Sequence, residues 1–388
     1  TVLSGPPGLV VDPSNACNLA CPGCVHSQQA KDLKMFDWSP GMLSEHCFTA
    51  FLNRYGPSAI YATLCNYGEP LVNPKTPQYV RMMKRCLIPT LISTNLSLAR
   101  FDAEAYVESG LDYMVLSIDG ATQSVYERFR KKGNLELVFG NIRKLVEAKR
   151  RSRRSAPVLV WRLLAFEHNI HEIPLAMEKA REMGLDQFRA DLAFDIGWDD
   201  PSIRPAKIEP FLKTFSADGF KANAENWNPF PGELDQPAID AAFAKNLRVE
   251  SGRADAGAEA TAPVNTRPES TCEWLYKNIT MDSGGRILPC CCAPRPGADL
   301  EFAHFNSSAA SLADPFNSDR HRLARLYFAN PAEYERQRDA GAFGRGPYCA
   351  RCEWEKTANP HDSQIRNYFT AASPTIFSQP SLDLLASW

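Results

Sequence analysis

From about residue 8 to residue 195, short apolar runs alternate with longer amphipathic ones. The apolar runs predict strands at Gly8–Asp12, Ala59–Cys65, Thr90–Thr94, Tyr113–Ile118, Val158–Leu164 and Phe188–Phe194. Between them apolar residues recur at three- and four-residue steps, as at Val138, Ile142, Leu145 and Val146. That period predicts helices near 41–54, 75–86, 102–109, 122–150 and 170–183, the first opened by Ser39-Pro40. Strands that alternate with helices make parallel βαβ units, hence an α/β fold. Six such repeats fall short of the eight in a closed barrel. The expectation is a partial, TIM-like (β/α)6 barrel over residues 1–195.

Beyond Asp195 the rhythm is lost. Residues 196–250 hold Pro201, Pro205, Pro210, Pro229, Pro231 and Pro237, and 251–270 are small and polar, so 196–270 reads as an insertion and mobile linker. Residues 271–360 read as a cysteine-rich module, in which MDSGGRILPC predicts a hairpin turning at Asp282–Gly285. The tail, 361–388, carries Phe369, Ile376, Phe377, Leu382 and Leu385, enough to dock but not to fold alone.

Composition narrows the classes. A chain of 388 residues exceeds one ordinary core. A net charge of −2 argues against a general nucleic-acid binder. No apolar run reaches the roughly 18–20 residues of a membrane span. The first residues show no export signal, so the expected location is the cytoplasm. In that compartment clustered thiols point to metal binding rather than disulfides. Nine of the twelve cysteines fall in two such clusters, and residues 87–271 have none.

Cys17, Cys21 and Cys24 form a C-x3-C-x2-C run directly after the first strand. Three thiolates can hold three irons of a cubane cluster and leave the fourth open to an exogenous ligand. A structural zinc would want a fourth ligand, for which His26 is the candidate. With the motifs that follow, the run resembles that of the radical S-adenosylmethionine (SAM) enzymes. Asn66-Tyr67-Gly68-Glu69-Pro70 closes the second strand, where the family has a Gly-Gly-Glu motif; the resemblance implies that Glu69 meets the SAM ammonium. Ser93-Thr94-Asn95 and Ser117-Ile118-Asp119-Gly120 close the third and fourth strands, and resemble ribose- or carboxylate-contacting positions. Arg130 resembles the Arg that meets the SAM carboxylate in many members. Each motif lies at the C-terminal rim, where α/β barrels build their sites. Two positions depart from the pattern: Gly23 replaces the usual aromatic before the third cysteine, and Asn66-Tyr67 stand at the start of the Gly-Gly-Glu-like motif.

In the second cluster Cys272, Cys290, Cys349 and Cys352 could saturate an electron-carrying cluster or hold a structural zinc equally well. Beside such a barrel the arrangement resembles the twitch variety of the SPASM module, with one auxiliary 4Fe–4S cluster. Adjacent side chains diverge, so Cys290, Cys291 and Cys292 cannot all ligate one cluster, and spacing by resemblance favours Cys290. Cys47, Cys65 and Cys86 read as buried core thiols, with Cys65 under slight suspicion because it precedes the Asn66–Glu69 motif. The cationic run from Lys149 to Arg154 reads as a solvated helix end.

For substrate contacts the leading candidates are Arg162, His168, Arg189 and Asp191, on or after strands five and six. A lumenal Arg or Asp is costly unless paired or functional. The resemblance implies an enzyme that cleaves SAM reductively and abstracts hydrogen from a small molecule, fed by a flavodoxin- or ferredoxin-type reductant. The cysteine spacing resembles that of an aminocyclitol dehydrogenase, and this resemblance implies a two-electron oxidation. A carbohydrate epimerase and a peptide-modifying enzyme are the alternatives.

Overall fold

The computed structural model describes residues 5–32, 41–193, 196–197, 199–206, 272, 274–290, 303–304, 314–343, 347 and 349. The expectations for Ser39-Pro40, Phe194, Cys291, Cys292, Cys352, most of the linker and the whole tail lie outside the described residues.

A sheet runs through the protein in the order β6-β5-β4-β3-β2-β1-β7-β8-β9. Strands β1 (Gly8–Val11), β2 (Tyr61–Thr63), β3 (Thr90–Thr94), β4 (Tyr113–Ser117), β5 (Val158–Ala165) and β6 (Gln187–Leu192) pair in parallel, each with its neighbour in sequence. All six begin within a few residues of their predicted places. The helices α2 (Glu45–Tyr55), α3 (Thr76–Arg85), α4 (Ala103–Glu108), α5 (Gln123–Phe129), α6 (Leu135–Ser152) and α7 (Ile173–Glu182) follow them; a short α1 (Gln28–Asp32) lies in the first connection. The sheet does not close. It is the unclosed α/β architecture that six repeats predict.

Local chemistry sets the boundaries. Helix α2 starts at Glu45 rather than near residue 41, because Ser44 is its N-cap and accepts from Cys47 N. The amphipathic stretch 122–150 is two helices: Gly133 and the cap Asn134, whose side chain accepts from Leu137 N, separate α5 from α6. On α6 the predicted stripe of Val138, Ile142 and Leu145 is fully buried against the sheet. Trp161 of β5 packs between Phe139 at 5.9 Å and Phe188 at 6.0 Å, so the helix-facing side of this strand is core. The opposite face looks into the lumen. Burying one such aromatic contributes about 2–3 kcal/mol.

The base of the sheet is held by ionic staples. Asp112 takes both Lys84 Nζ, at 2.8 Å, and Thr90 N, at 2.7 Å. Lys149 reaches Asp186 at 2.5 Å and is buried, so one member of the basic run departs from the solvated reading; Arg150 and Arg151 pair with Glu147 on the surface as expected. Cys86 is exposed rather than buried, since it follows the last turn of α3 and lies beyond its apolar stripe.

The cysteine-rich module is joined to this sheet. Strand β7 (Asn278–Met281) runs parallel to β1 from Gly8↔Asn278 to Val11↔Met281, and α8 (Trp274–Lys277) leads into it. The predicted hairpin then forms, with β8 (Arg286–Leu288) antiparallel to β7. Gly285, at φ 89°, supplies the left-handed turn residue, and Asp282 Oδ1 accepts from Gly284 N and Arg286 N at 2.9 Å each. Strand β9 (Ala303–His304) pairs with β8, and α9 (Asp319–Ala329) and α10 (Pro331–Asp339) follow. Among the described residues no helix is long and apolar enough to cross a membrane.

Candidate active site

The site starts from the loop that follows β1. Residues 12–24 leave β1 and carry the three thiols, with Cys21 buried and Cys17 and Cys24 half-buried. Gly23 sits at φ 73°, where a side chain would be strained, which accounts for the missing aromatic at this position. Its N–H donates to Asp199 Oδ2 at 2.7 Å, and Ala20 N donates to Lys131 O at 3.1 Å. An apolar floor of Leu19, Phe129, Leu164 and Phe166 lies beneath, with Phe129 and Phe166 4.6 Å apart.

The thiols are partly to fully withdrawn from solvent, and N–H groups approach two of them. Burial pushes Cys17 up to about 12 and Cys21 up to about 11, and it raises Cys24 as well. Leu19 N lies 3.4 Å and Asn95 Nδ2 3.8 Å from Cys17 Sγ, while Arg130 Nη1 lies 3.9 Å from Cys21 Sγ. An all-thiol donor set with N–H groups directed at sulfur fits an iron–sulfur cluster, and loading it must release the thiol protons. His26, the candidate fourth ligand of a zinc site, bonds through Nε2 to Tyr67 O at 2.8 Å.

The strand-end motifs come together around this loop. Glu69 is buried, and its carboxylate takes Thr94 Oγ1 at 2.6 Å, Leu71 N at 3.1 Å and Asn95 N at 2.8 Å. Oε2 thus has one acceptor site left, while Oε1 has none. Burial raises the Glu69 pKa, and these donors oppose the rise. Asn95 passes the connection on, with Nδ2 on Asn18 Oδ1 at 3.1 Å as well as on Cys17. Gly68 approaches the root of the thiol loop so closely that a Cβ there would stand 1.8 Å from Ser14 O. Next to it Glu69 N donates to Ala16 O at 2.8 Å. Asn66 is half-buried, and its Nδ2 has no hydrogen-bond partner among the described residues. Ser93 and Ser117, on neighbouring strands, share a bond of 3.2 Å. Asp119 is fully buried between Arg130 Nε at 2.5 Å and Leu164 N at 2.6 Å.

Of the four substrate-contact candidates, three form one cluster. Asp191 accepts from Arg162 Nε at 2.7 Å and also from Arg189 Nε. The register Ser117↔Arg162↔Arg189 sets them side by side on the lumen face. His168 stands apart from them. Its ring stacks on Phe166 at 5.6 Å, its two nitrogens are buried without partners among the described residues, and burial lowers its pKa to about 4.

Several residues that organise the site carry no motif. Asp12 is fully buried and takes Tyr67 N at 3.2 Å and Gly68 N at 3.4 Å. Burial, with Asp282 adding to it, raises its pKa to about 8. Glu172 holds the loop after β4 through Ala121 N at 2.6 Å and Thr122 N at 3.1 Å. Asn169 ties Asp119 O and Leu164 O to Phe166 N. Asp199 caps the thiol loop from far along the sequence. A lone acid or amide near a predicted strand end was the one available signal, and it is shared by many surface residues.

In the cysteine-rich module, Cys349 is buried in the main core, Cys272 packs against it, and Cys290 lies two residues past β8.

Comparison with known proteins agrees with this geometry. The profile of the family described as the Radical SAM superfamily matches residues 11–160. A GTP 3',8-cyclase of Chlorobaculum tepidum is 28% identical over 174 residues, 44% of this chain and 49% of that protein. A probable GTP 3',8-cyclase of Methanocaldococcus jannaschii is 25% identical over 179 residues, 45% and 55%. The match thus spans about half the length of these relatives. Among solved structures, Streptococcus suis SuiB bound to the precursor peptide SuiA has a TM-score of 0.52 at 14% identity, over 85% of this chain and 66% of that one. Native anSMEcpe with bound AdoMet has a TM-score of 0.51 at 13% identity, over 98% and 100%. These likenesses concern the fold. With the thiol loop, the strand-end motifs and the unclosed parallel sheet all lying in or beside the matched stretch, this chain carries a radical SAM domain, of the superfamily whose members use SAM and a 4Fe–4S cluster.

Proposed function

We propose that this protein is a radical SAM oxidoreductase that removes two electrons from a sugar, cyclitol or other small hydroxylated molecule. The observation that carries the reading is the pair of hydrogen-bond relays meeting at the thiol loop: Cys17–Asn95–Glu69, through the Asn95 side chain and backbone N–H, and Cys21–Arg130–Asp119. They tie the ends of β2, β3 and β4 to the residues that would hold the cluster, namely Cys17, Cys21 and Cys24. When bound, the cluster and SAM together supply a 5′-deoxyadenosyl radical that abstracts hydrogen.

The chain's own residues do the rest. Glu69 offers its remaining acceptor site to an ammonium group, and Asn66 Nδ2 is a buried donor awaiting an acceptor. Arg162, Arg189 and Asp191 place donors and an acceptor on neighbouring strands, an arrangement suited to orienting a hydroxylated substrate in the lumen. The floor of Phe129, Phe166, Leu19 and Leu164 keeps water from the thiol loop. Cys272, Cys290, Cys349 and Cys352 are proposed to hold an auxiliary 4Fe–4S cluster of the SPASM/twitch type, to accept the substrate's second electron. A flavodoxin- or ferredoxin-type protein is the proposed reductant.

Anaerobic reconstitution and product mass test this reading. Two clusters bind about eight irons per chain and one binds about four. The product should be about two mass units lighter than the substrate, with one SAM consumed per turnover. A Cys349→Ala/Cys352→Ala variant should release 5′-deoxyadenosine without matching product. A product of unchanged mass carrying solvent deuterium would instead indicate an epimerase.

A further inference from the structure

We propose that Arg130, pinned by Asp119 against Cys21, sets the reduction potential of the cluster held by the thiol loop. The inference rests on the cluster reading above. It assigns Arg130 an action on the cluster itself, present whether or not SAM is bound.

Arg130 is the C-cap residue of α5, and its backbone leaves the helix at φ −82°, ψ 62°. The side chain is 15% exposed. Nε donates to Asp119 Oδ2 at 2.5 Å, Nη1 lies 3.9 Å from Cys21 Sγ, and the guanidinium carbon stands 5.2 Å from the centre of the Phe129 ring. Asp119 is in turn held by Leu164 N, so it cannot follow if the guanidinium swings away. Moving the cation would leave a fully buried carboxylate unpaired, which is costly. The geometry therefore holds one positive charge beside one ligand sulfur.

Its effect has a definite sign. Reduction makes a cluster more negative, and a nearby cation with an N–H directed at sulfur favours the reduced form, raising the potential. Little water intervenes to screen the charge. Asp119 opposes it more weakly. Of the pair, Arg130 is the member whose N–H faces the ligand sulfur, with Nη1 3.9 Å from Cys21 Sγ, while Asp119 Oδ2 accepts from its Nε. Arg130 and Asp119 are thus positioning and tuning residues of opposite sign.

The test is an EPR-monitored redox titration of the anaerobically reconstituted full chain without SAM. The relevant signal is the one lost in the Cys17→Ala/Cys21→Ala/Cys24→Ala variant. Arg130→Gln should shift the reduction equilibrium toward the oxidised form by about tenfold, which is about 59 mV for one electron. Arg130→Lys, which keeps the charge and loses the fork, should shift it less. Asp119→Asn should move the potential upward. A residue serving only the SAM carboxylate would leave the SAM-free potential unchanged in Arg130→Gln, and that result overturns the proposal. A shift of the same sign in Arg130→Gln and Asp119→Asn also overturns it, as does loss of the cluster in both Arg130 variants. Failure of the wild-type chain to assemble a cluster would instead sink the reading on which the proposal rests.

Discussion

Replacing Glu69 with Ala should damage the scaffold before it damages chemistry. Three donors end on this one carboxylate: Thr94 Oγ1, Leu71 N and Asn95 N. Glu69 is only 3% exposed, so water cannot take over these groups in the variant. A hydrogen bond to a charged group contributes about 1.5–3 kcal/mol, and orphaned buried donors each cost about 1–3 kcal/mol. Relief from burying the charge offsets part of this, and the three bonds are not additive. The net loss should be about 3–5 kcal/mol. Urea unfolding of the cluster-free protein measures it directly. Glu69→Gln should cost about 1–3 kcal/mol, because the amide retains Oε1 for Thr94 and Leu71 but sets an N–H against Asn95 N. With the turn loosened, the SAM dissociation constant of the reconstituted protein should rise at least about tenfold, equivalent to about 1.4 kcal/mol. A Glu69→Ala protein within about 1 kcal/mol of wild type would refute the reasoning, since that much is the value of a single ordinary hydrogen bond.

The Cys17→Ala/Cys21→Ala/Cys24→Ala variant should lose SAM cleavage while keeping any absorbance due to the second cluster; persistent 5′-deoxyadenosine would contradict the assignment. Gly68→Ala should unfold at lower denaturant than wild type by about 1–3 kcal/mol or more, because a Cβ 1.8 Å from Ser14 O forces the backbone to move; an unchanged midpoint would mean that the approach is looser than described. Asp12 carries a pKa of about 8 in the fold against 3.8 as a free side chain. The folded chain therefore holds a proton that the unfolded chain releases between these values, and Asp12's contribution to stability falls as pH rises through that window. The slope should be at most about 1.4 kcal/mol per pH unit. Asp12→Asn should remove it in the cluster-free protein, and parallel stability–pH curves for the two proteins would count against the burial argument.

Much of the fold was legible because it follows from periodicity. An apolar run of five to seven residues followed by a stripe at three- and four-residue steps has few packings other than parallel βαβ units, and β1 to β6 lie close to their predicted places. The three thiols were legible for a similar reason. Their ligand spacing sits on one short loop, so sequence neighbours are also spatial neighbours. Alternation along the sixth strand could place Arg189 and Asp191 on one face, but the ion pairs of Asp191 with Arg189 and with Arg162 of β5 come from the register of the folded sheet.

Contacts between distant segments were not legible. Nothing in NITM at 278–281 says that it will lie beside β1, because a parallel partner is chosen by the whole sheet and not by local pattern. Asp12, Glu172 and Asp199 look like ordinary acids until the fold carries backbone amides from 55, 51 and 176 residues away to their carboxylates. The role of Glu69 changed for the same reason. Its motif marked it as a ligand contact, and the tertiary structure also made it the joint between two strand ends, with one acceptor site left to offer. Sequence determines what recurs at fixed spacing along the chain; long-range hydrogen bonds depend on which strand ends meet, and only the folded sheet decides that.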